Sequence, residues 1–347
     1  MRSYMNDING IDFLHKLCYD FEPECAFKGS TKQEFEVWRK ETAAKAEKLL
    51  KFDRLSGCAF NAEKTEETAG LKYGDTAYTR EHYLIDTFDK LKMPVYVLRP
   101  EKGINKAALA LHPHGSNGKN GLVGIMDEDI QKNDDKLKFT YALDLLEKGY
   151  TVFCPDMLGA GSRRPISVEQ PKKSDCTAVN NALMSVGLNL HGLTTYELKR
   201  AVDLIEKYGR ENGIDTSDLP CLGFSGGGLA SIWLAALDER IKTVYISGYF
   251  HSLRKTLLQS NFCGCNFVPN MWKVIDMDSV AMLVAPRKLY IETGRGDNLN
   301  GADGLENVYK LKEKVENVYK NIFGSDDFKF TVCDGMHRWY GAFMDEF

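Results

Sequence analysis

Short apolar runs alternate with amphipathic helical patterns from residue 107 onward, and this alternation restricts the possible folds more than any other feature. Strands are predicted at residues 107–111, 150–154, 219–224, 241–247, 288–292 and 327–332. Helical spacing separates them, for example at residues 140–148 and 305–323. The pattern predicts an α/β fold with a mostly parallel central sheet and helices on both faces. Ligands of such sheets bind at the carboxyl ends of the strands, so functional residues are expected in the loops that follow them.

The region before this alternation predicts a different organisation. Thr31 and Glu34 have the spacing of a helix capping box, and the residues after them place apolar side chains on one face. Residues 1–75 are therefore expected to form a helical extension that packs on the main domain, because they are too polar to bury a good core alone. Residues 76–347 are the expected main domain, which opens with an antiparallel hairpin at residues 78–86 and 94–98.

A second capping box is predicted within the main domain. Thr194 and Glu197 have the required spacing, and apolar residues at Leu198, Ala201, Val202 and Ile205 follow them with helical periodicity. We therefore expect a helix that starts near Thr194 and covers the sheet.

The stretch Gly223-Phe224-Ser225-Gly226-Gly227 stands between a predicted strand and an apolar helix at residues 229–237. A strand, a sharp turn with serine at its apex and a helix together predict a nucleophile elbow. Gly223 and Gly227 would let the strand and the helix approach closely. The alternative is a glycine-rich turn in which Ser225 only caps the helix.

A serine nucleophile needs a base, and the base needs an orienting carboxylate. Asp297 and His337 follow the two predicted strands at residues 288–292 and 327–332. Serine, aspartate and histidine after successive strands is the chain order of α/β-hydrolases. Other acids and histidines in the region are competing candidates, namely Glu292, Asp303, Asp334, His112, His114, His191 and His251. We expect Glu292 to point into or across the sheet and Asp303 to cap a helix.

The loop at residues 112–119 follows the first inner strand and would face the elbow. The N–H of Gly226 is the first predicted oxyanion donor, and the N–H of Ser116 or Asn117 is the second. The alternative is an ordinary polar turn. Asp156 follows the next strand and is expected to anchor local backbone N–H groups.

Several side chains are candidates for contact with substrate. His114 lies on the loop that faces the elbow, and Trp339 and Trp272 are candidates for an apolar or sugar-stacking wall, with core packing as the alternative. Arg163 and Arg164 either meet an anionic substrate or lie on the surface. Two long connections, at residues 158–192 and 249–285, are expected to wall or cover the site.

Composition limits the remaining possibilities. The net charge of −4 and the lack of a long basic run indicate no nucleic-acid partner, and no apolar stretch is long enough for a membrane span. Nine scattered cysteines and an N-terminus without signal-peptide character predict reduced thiols and a cytoplasmic location. A metal site at Cys263-Gly264-Cys265 would need two more ligands, and sequence spacing indicates none, so neither metal nor cofactor is expected.

The motifs together resemble α/β-hydrolases of the dienelactone hydrolase and acetyl xylan esterase-like group. The similar segments are His112-Pro113-His114-Gly115, the turn that starts at Asp156, the elbow, the His337-Arg338-Trp339 segment and residues 265–287. The resemblance covers about residues 75 to 345. It implies a triad of Ser225, Asp297 and His337 and an esterase activity, without fixing the substrate.

The expected function is hydrolysis of a carboxylic ester, such as an acetyl or other small acyl ester of a carbohydrate or small molecule. The same triad also fits acyl transfer to an alcohol or amine, or cleavage of an amide or peptide. A catalytically silent binding module on this fold is the alternative from another class. The expected partner is a small-molecule ester, and homo-oligomerisation stays open.

Overall fold

A nine-stranded sheet forms the centre of the fold in the computed structural model, which describes residues 8, 10–19, 21–115, 117–126, 128–165, 176–256 and 262–347. Its strands are β1 (Ala62–Tyr73), β2 (Thr76–Phe88), β3 (Leu91–Pro100), β4 (Ala107–Leu111), β5 (Thr151–Pro155), β6 (Leu219–Phe224), β7 (Ile241–Ser247), β8 (Lys288–Gly294) and β9 (Phe328–Cys333).

The strands lie in the order β1-β2-β3-β5-β4-β6-β7-β8-β9. The pairs β1/β2, β2/β3 and β3/β5 are antiparallel, and every pair from β5 to β9 is parallel. The predicted mostly parallel sheet and its opening hairpin are confirmed. The carboxyl ends of β4, β6, β7, β8 and β9 consequently lie at one edge, which is where ligands of such sheets bind.

Strand β1 differs from the helical extension predicted for residues 1–75. It runs antiparallel to β2 at the edge of the sheet, and most of its residues are exposed. Its sequence, AEKTEETAGLKY, has no alternation of apolar and polar residues, and only residues near its ends, Ala62, Leu71 and Tyr73, pack against a core. The period-2 signal on which strand prediction depends is therefore missing.

Helices cover both faces of the sheet. Those in the described residues are α1 (Ile11–Tyr19), α2 (Lys32–Leu49), α3 (Lys119–Leu122), α4 (Glu128–Leu137), α5 (Tyr141–Glu147), α6 (Cys176–Ser185), α7 (Leu190–Asn212), α8 (Gly226–Leu237), α9 (Leu253–Thr256), α10 (Met271–Val274), α11 (Met277–Met282) and α12 (Leu305–Asn317). Helix α12 continues as a π-helical segment, Val318–Phe323. None of these described helices combines the length and the apolar character needed to cross a bilayer.

The two predicted capping boxes have different outcomes. At α2 the Thr31 hydroxyl accepts the Glu34 N–H while the Glu34 carboxylate accepts the Thr31 N–H, so that prediction is confirmed. The prediction at Thr194 is wrong, because α7 begins at Leu190 and is capped by Asn189, whose side chain accepts the Gly192 N–H. Glu197 is instead buried inside the fold, where it pairs with an arginine.

Alternate residues of each inner strand supply two apolar cores. In β4, Leu109 and Leu111 pack into the core that contains α2, α7, α8, α11 and α12. Ala108 and Ala110 point to the opposite core, which contains α5 and the C-terminal segment around Trp339. This period of two follows from strand geometry, and it places β4 and β6 between two helical layers. The carboxyl-terminal loops of these strands are thereby fixed on a rigid base.

Candidate active site

The turn between β6 and α8 has the geometry of a nucleophile elbow. Ser225 lies at its apex with φ of 54° and ψ of −120°, a conformation that is costly for a residue with a side chain. A Cβ on Gly223 would lie 2.2 Å from the carbonyl oxygen of Gly227, and one on Gly227 would lie 2.0 Å from that of Leu111. The glycines thus permit the close approach of strand and helix. Ser225 makes no side-chain capping hydrogen bond to α8, which argues against the capping alternative.

Ser225, His337 and Asp297 form one hydrogen-bonded chain. His337 Nε2 lies 2.9 Å from Ser225 Oγ, and His337 Nδ1 lies 2.8 Å from Asp297 Oδ2. The Asp297 side chain is only 1% exposed, whereas that of His337 is 22% exposed. A buried carboxylate beside a partly accessible imidazole can orient the ring and stabilise its protonated form. The structure therefore brings together the three residues that the strand-end argument selected.

Neighbouring groups hold Asp297 and His337 in place. The second carboxylate oxygen of Asp297, Oδ1, accepts the backbone N–H of Leu299, so both of its oxygens are engaged. The ring of His337 packs on that of Phe224, with 4.6 Å between the centroids. Since Phe224 immediately precedes Ser225 in the chain, the elbow itself helps to fix the imidazole.

The competing acids lie elsewhere. Asp334 is exposed and pairs with Arg295 at 2.9 Å. Asp303 is also exposed, and the expected cap is wrong, because Gly304 occupies the N-cap of α12 and supplies no side chain. Glu292 is fully buried in β8, as its place inside the strand suggested.

Glu292 organises the segment that follows His337. Its carboxylate accepts the backbone N–H groups of Tyr340, Gly341 and Ala342 and the hydroxyl of Tyr245. A carboxylate that satisfies three consecutive backbone donors fixes the path of the chain just beyond the histidine. Glu292 is thus a positioning residue for the His337 loop, a role that no sequence pattern indicated.

Three of the four competing histidines, His112, His191 and His251, are buried. Burial lowers the pKa of His191 to about 3 and that of His251 to about 4. Burial likewise lowers the pKa of His112, whose Nε2 accepts the N–H of Met157 at 3.0 Å. His112 and His191 line a small cavity beside the elbow, and His251 is hydrogen-bonded to the Thr256 hydroxyl.

The loop after β4 faces the elbow as expected. Ser116 lies outside the described residues, so its predicted place in the oxyanion hole stays a prediction. The side chain of Asn117 donates to the carbonyl oxygen of Ile125 at 2.9 Å and so braces the loop from within. The backbone N–H of Gly226 follows Ser225 directly at the start of α8, which is where the first donor is expected.

A buried ion pair anchors this loop to the turn after β5. Asp156 accepts the backbone N–H of Lys119 at 2.6 Å, the Lys119 ammonium at 2.8 Å, and both the N–H and the hydroxyl of Ser162. Burial alone would raise the pKa of Asp156, but the Lys119 charge and these hydrogen bonds outweigh it and keep the pKa below its ordinary value. The predicted anchoring role of Asp156 is confirmed, and its main partner is the end of the loop that faces Ser225.

Replacing Asp156 by asparagine is expected to destabilise the fold by about 3–5 kcal/mol, because it leaves the buried Lys119 ammonium without its counter-charge. Urea denaturation measures the change in the free energy of unfolding. Asp86→Asn is the matched control and should cost far less, since Asp86 and its partner Lys92 are both accessible to water. Equal losses in the two variants would contradict the anchoring role.

Arg163 occupies neither of its predicted surroundings. It is buried and binds Glu197 through two hydrogen bonds of 2.9 and 2.6 Å, while Glu197 also accepts the Thr87 hydroxyl. The guanidinium is therefore hydrogen-bonded within the fold, and it faces neither solvent nor substrate. The pair links the turn after β5 to α7. The sequence spacing had instead predicted Glu197 as part of a capping box.

The two candidate tryptophans differ from the expected wall. Trp339 is fully buried and stacks on Tyr141 with 4.3 Å between ring centroids, so it belongs to the core. Trp272 is half-buried and packs near Phe267 against the other core. For both residues the core-packing alternative describes their contacts.

A small cavity, about 50 Å³ in volume, opens beside the elbow at Gly226. Met157, Leu158 and Leu229 supply apolar walls, and His114 lies at its edge. Residues from both long connections contribute to the lining, Leu158 from the first and Cys265 from the second. The predicted His114 contact with this region is therefore geometrically possible.

One cluster of metal-type ligands lies in the described part of the chain. His114, Cys176, Cys263 and Cys265 each place a ligand atom within 4.8 Å of the others. The sequence spacing had indicated only Cys263 and Cys265. The fold brings His114 and Cys176 to them, which gives the two further ligands that a metal site would need. No sequence pattern indicated that Cys176 and His114 join this cluster. Cys176 lies 87 residues from its contact Cys263, and His114 lies 151 residues from its contact Cys265.

Comparisons with known proteins agree with this fold. A sequence model of the Abhydrolase family matches residues 2–334. A relative named "Putative hydrolase YtaP", from Bacillus subtilis (strain 168), is 26% identical over 263 residues, which cover 74% of this chain and 82% of the relative.

Solved structures share the architecture. A structure described as a putative acetyl xylan esterase from Bacteroides fragilis NCTC 9343 superposes with a TM-score of 0.74 at 20% identity, covering 93% of this chain and 82% of the other. A glucuronoyl esterase from Solibacter usitatus gives a TM-score of 0.64 at 15% identity, with coverage of 90% and 94%. At these identities the likeness extends to the fold.

Proposed function

We propose that this chain, which belongs to the Abhydrolase family, is a serine hydrolase that cleaves carboxylic esters with a small acyl group. The observation that carries the proposal is the hydrogen-bonded chain from Ser225 through His337 to Asp297 at the carboxyl edge of the sheet. That the solved relatives include proteins named as esterases supports the same reaction class.

The geometry suggests the order of events. Ser225 Oγ attacks the ester carbonyl while His337 Nε2 takes its proton, and Asp297 stabilises the imidazolium that forms. The developing oxyanion accepts the Gly226 N–H and a second N–H from the loop that contains Ser116 and Asn117. His337 then returns the proton to the departing alcohol. Water, deprotonated by the same histidine, attacks the acyl-enzyme and releases the acid and free Ser225.

The size of the cavity supports a small acyl group. Its volume of about 50 Å³ is far below the roughly 300–1,000 Å³ of sites for drug-sized ligands. Met157, Leu158 and Leu229 line it with apolar atoms, and it meets the elbow at Gly226, next to the proposed oxyanion position. An acetyl methyl fits such a space, whereas a long acyl chain exceeds its volume.

A panel of nitrophenyl esters tests the proposed acyl specificity. We expect kcat/KM to fall at least about tenfold from acetate to octanoate, which corresponds to about 1.4 kcal/mol of transition-state binding. Leu229→Ala removes one wall of the cavity and should narrow that difference, while the same change at exposed Val37 should leave it unaltered. A preference for octanoate in the wild-type protein would contradict the small-acyl proposal.

The panel also separates the neighbouring reactions. An acyltransferase would give more ester or amide product and less free acid when an alcohol or amine acceptor is added, whereas a hydrolase would release the acid in either case. Acetylated sugars belong in the panel, because the proposed alcohol is that of a carbohydrate or small molecule.

We also propose a cytoplasmic location, on the basis of the odd number of scattered cysteines.

A further inference from the structure

Three separate parts of the chain meet at the cluster of His114, Cys176, Cys263 and Cys265. His114 belongs to the loop that faces the elbow, Cys176 begins α6 in the first long connection, and Cys263 and Cys265 lie in the second. Cys176 Sγ and Cys263 Sγ are 2.7 Å apart, Cys263 Sγ and Cys265 Sγ are 3.2 Å apart, and Cys265 Sγ is 2.9 Å from His114 Nε2. All four ligand atoms lie within 4.8 Å of one another.

The donor set is chemically specific. Thiols are weak hydrogen-bond donors and acceptors, so hydrogen bonds among three sulfurs and an imidazole contribute little stabilisation. Three cysteines and one histidine are, however, a familiar ligand set of tetrahedral structural zinc sites. Soft thiolate donors select Zn²⁺ over the hard ions Mg²⁺ and Ca²⁺, which take oxygen ligands.

Polar groups around the cluster resemble the outer contacts of a metal site. The Thr177 hydroxyl lies 3.1 Å from Cys263 Sγ and also accepts the Gly264 N–H at 3.0 Å. The Asn266 amide lies 3.8 Å from Cys265 Sγ. Hydrogen bonds to ligating atoms orient them and adjust their basicity.

A buried asparagine joins the two cysteine-bearing segments. Asn180, one turn after Cys176 on α6, donates to the carbonyl oxygen of Gly264 at 2.8 Å and accepts the N–H of Leu190. The position of α6 relative to Cys263 and Cys265 is thus fixed by hydrogen bonds that do not involve the thiols. These hydrogen bonds keep Cys176 close to Cys263 and Cys265.

We propose that His114, Cys176, Cys263 and Cys265 bind one Zn²⁺ ion in a tetrahedral site that links the two long connections to the loop facing the elbow. Binding displaces one proton from each thiol, so three protons leave as the three thiolates form. The chain itself occupies all four positions, so the ion has a structural role and ester hydrolysis proceeds without a metal-bound water.

The site would act on the elbow through His114. A Cβ on Gly226 would lie 2.4 Å from His114 Nδ1, so the ring packs directly on the backbone that carries the proposed oxyanion donor. A metal bond at His114 Nε2 would hold that ring still. Cys176 and Cys265 also line the cavity beside the elbow, and the ion would fix these walls as well.

Metal content of the full chain, purified under reducing conditions, tests the proposal without reference to activity. After equilibration with Zn²⁺ and removal of the excess, we expect about one zinc per chain by plasma mass spectrometry. Cys263→Ser and Cys176→Ser should each weaken zinc binding by at least about 100-fold, since even outer contacts of metal sites contribute about 10- to 100-fold. Cys58→Ser, outside the cluster, is the matched control and should keep full occupancy.

Because a serine variant can also fail to fold, a second measurement uses the unaltered chain. The metal-free protein titrated with Co²⁺ should show a thiolate-to-cobalt charge-transfer band and the visible bands of a tetrahedral ion, saturating at one equivalent. A reduced, folded chain that takes up neither Zn²⁺ nor Co²⁺ would overturn the proposal. So would peptide mapping that finds Cys176 and Cys263 joined as a disulfide in protein purified under mild, non-reducing conditions.

Discussion

Ser225→Ala is expected to lower kcat for nitrophenyl acetate by about 10⁶-fold, because it removes the oxygen that attacks the ester. The residual rate would come from the oxyanion donors and from substrate binding, which need no nucleophile. The measurement is kcat at saturating ester, with circular dichroism to show that the variant is folded. KM should change little, since Ser225 Oγ contributes mainly to the transition state.

The control for this variant is Ser217→Ala. Ser217 is exposed on the turn before β6, at the opposite end of the strand from Ser225, and should leave kcat unchanged. Folded Ser225→Ala protein with more than a tenth of the wild-type kcat would remove Ser225 from the mechanism.

Asp297→Asn is expected to lower kcat by about 10⁴-fold while leaving the fold intact. The amide would donate toward His337 Nδ1, where the carboxylate now accepts, so the ring would present a protonated Nε2 to Ser225. The wrong tautomer cannot take the serine proton. Rates measured over a range of pH report the effect on the tautomer of His337, and thermal unfolding reports any loss of stability. The two measurements together separate these effects.

Asp334→Asn is the matched control for Asp297→Asn. Asp334 lies in the same region and was a competing candidate, but its carboxylate is exposed and pairs with Arg295. Its replacement should change kcat by less than about twofold, because exposed pairs contribute little. A larger loss at Asp334 than at Asp297 would reassign the orienting acid.

The parallel part of the fold was predictable because its strands are short, apolar and buried on both sides. The bounds of β6 and β7 are those expected, and β4 also coincides. Strand β1 could not be found in the same way, since its exposed edge carries no apolar pattern. The division of the chain at residue 75 stays a prediction.

Ser225, Asp297 and His337 were selected by the elbow pattern, by the chain order of serine, aspartate and histidine, and by the rule that the carboxyl ends of parallel strands meet at one edge of the sheet. The sequence does not predict the distances between these three side chains, and the structure supplies them. Their catalytic roles stay predictions, as does the part of Ser116 in the oxyanion hole.

Other functional contacts depend on partners far apart in the chain. Arg163 and Glu197, Asp156 and Lys119, and Glu292 with the N–H groups of residues 340–342 are buried pairs between different elements. Single-residue patterns favoured a surface arginine and a capping glutamate, because local spacing carries no information on tertiary partners. The cluster around Cys263 was missed for the same reason.

The most direct test of the central claim is covalent labelling by a fluorophosphonate, followed by intact-mass measurement and peptide mapping. We expect one label per wild-type chain, on Ser225, because only a serine activated by His337 attacks such a phosphorus centre at a useful rate. Ser225→Ala should take up none, and Ser217→Ala should label like the wild type. A folded wild-type chain that resists the probe, or a label that persists in Ser225→Ala, would contradict the assignment of Ser225 as the nucleophile.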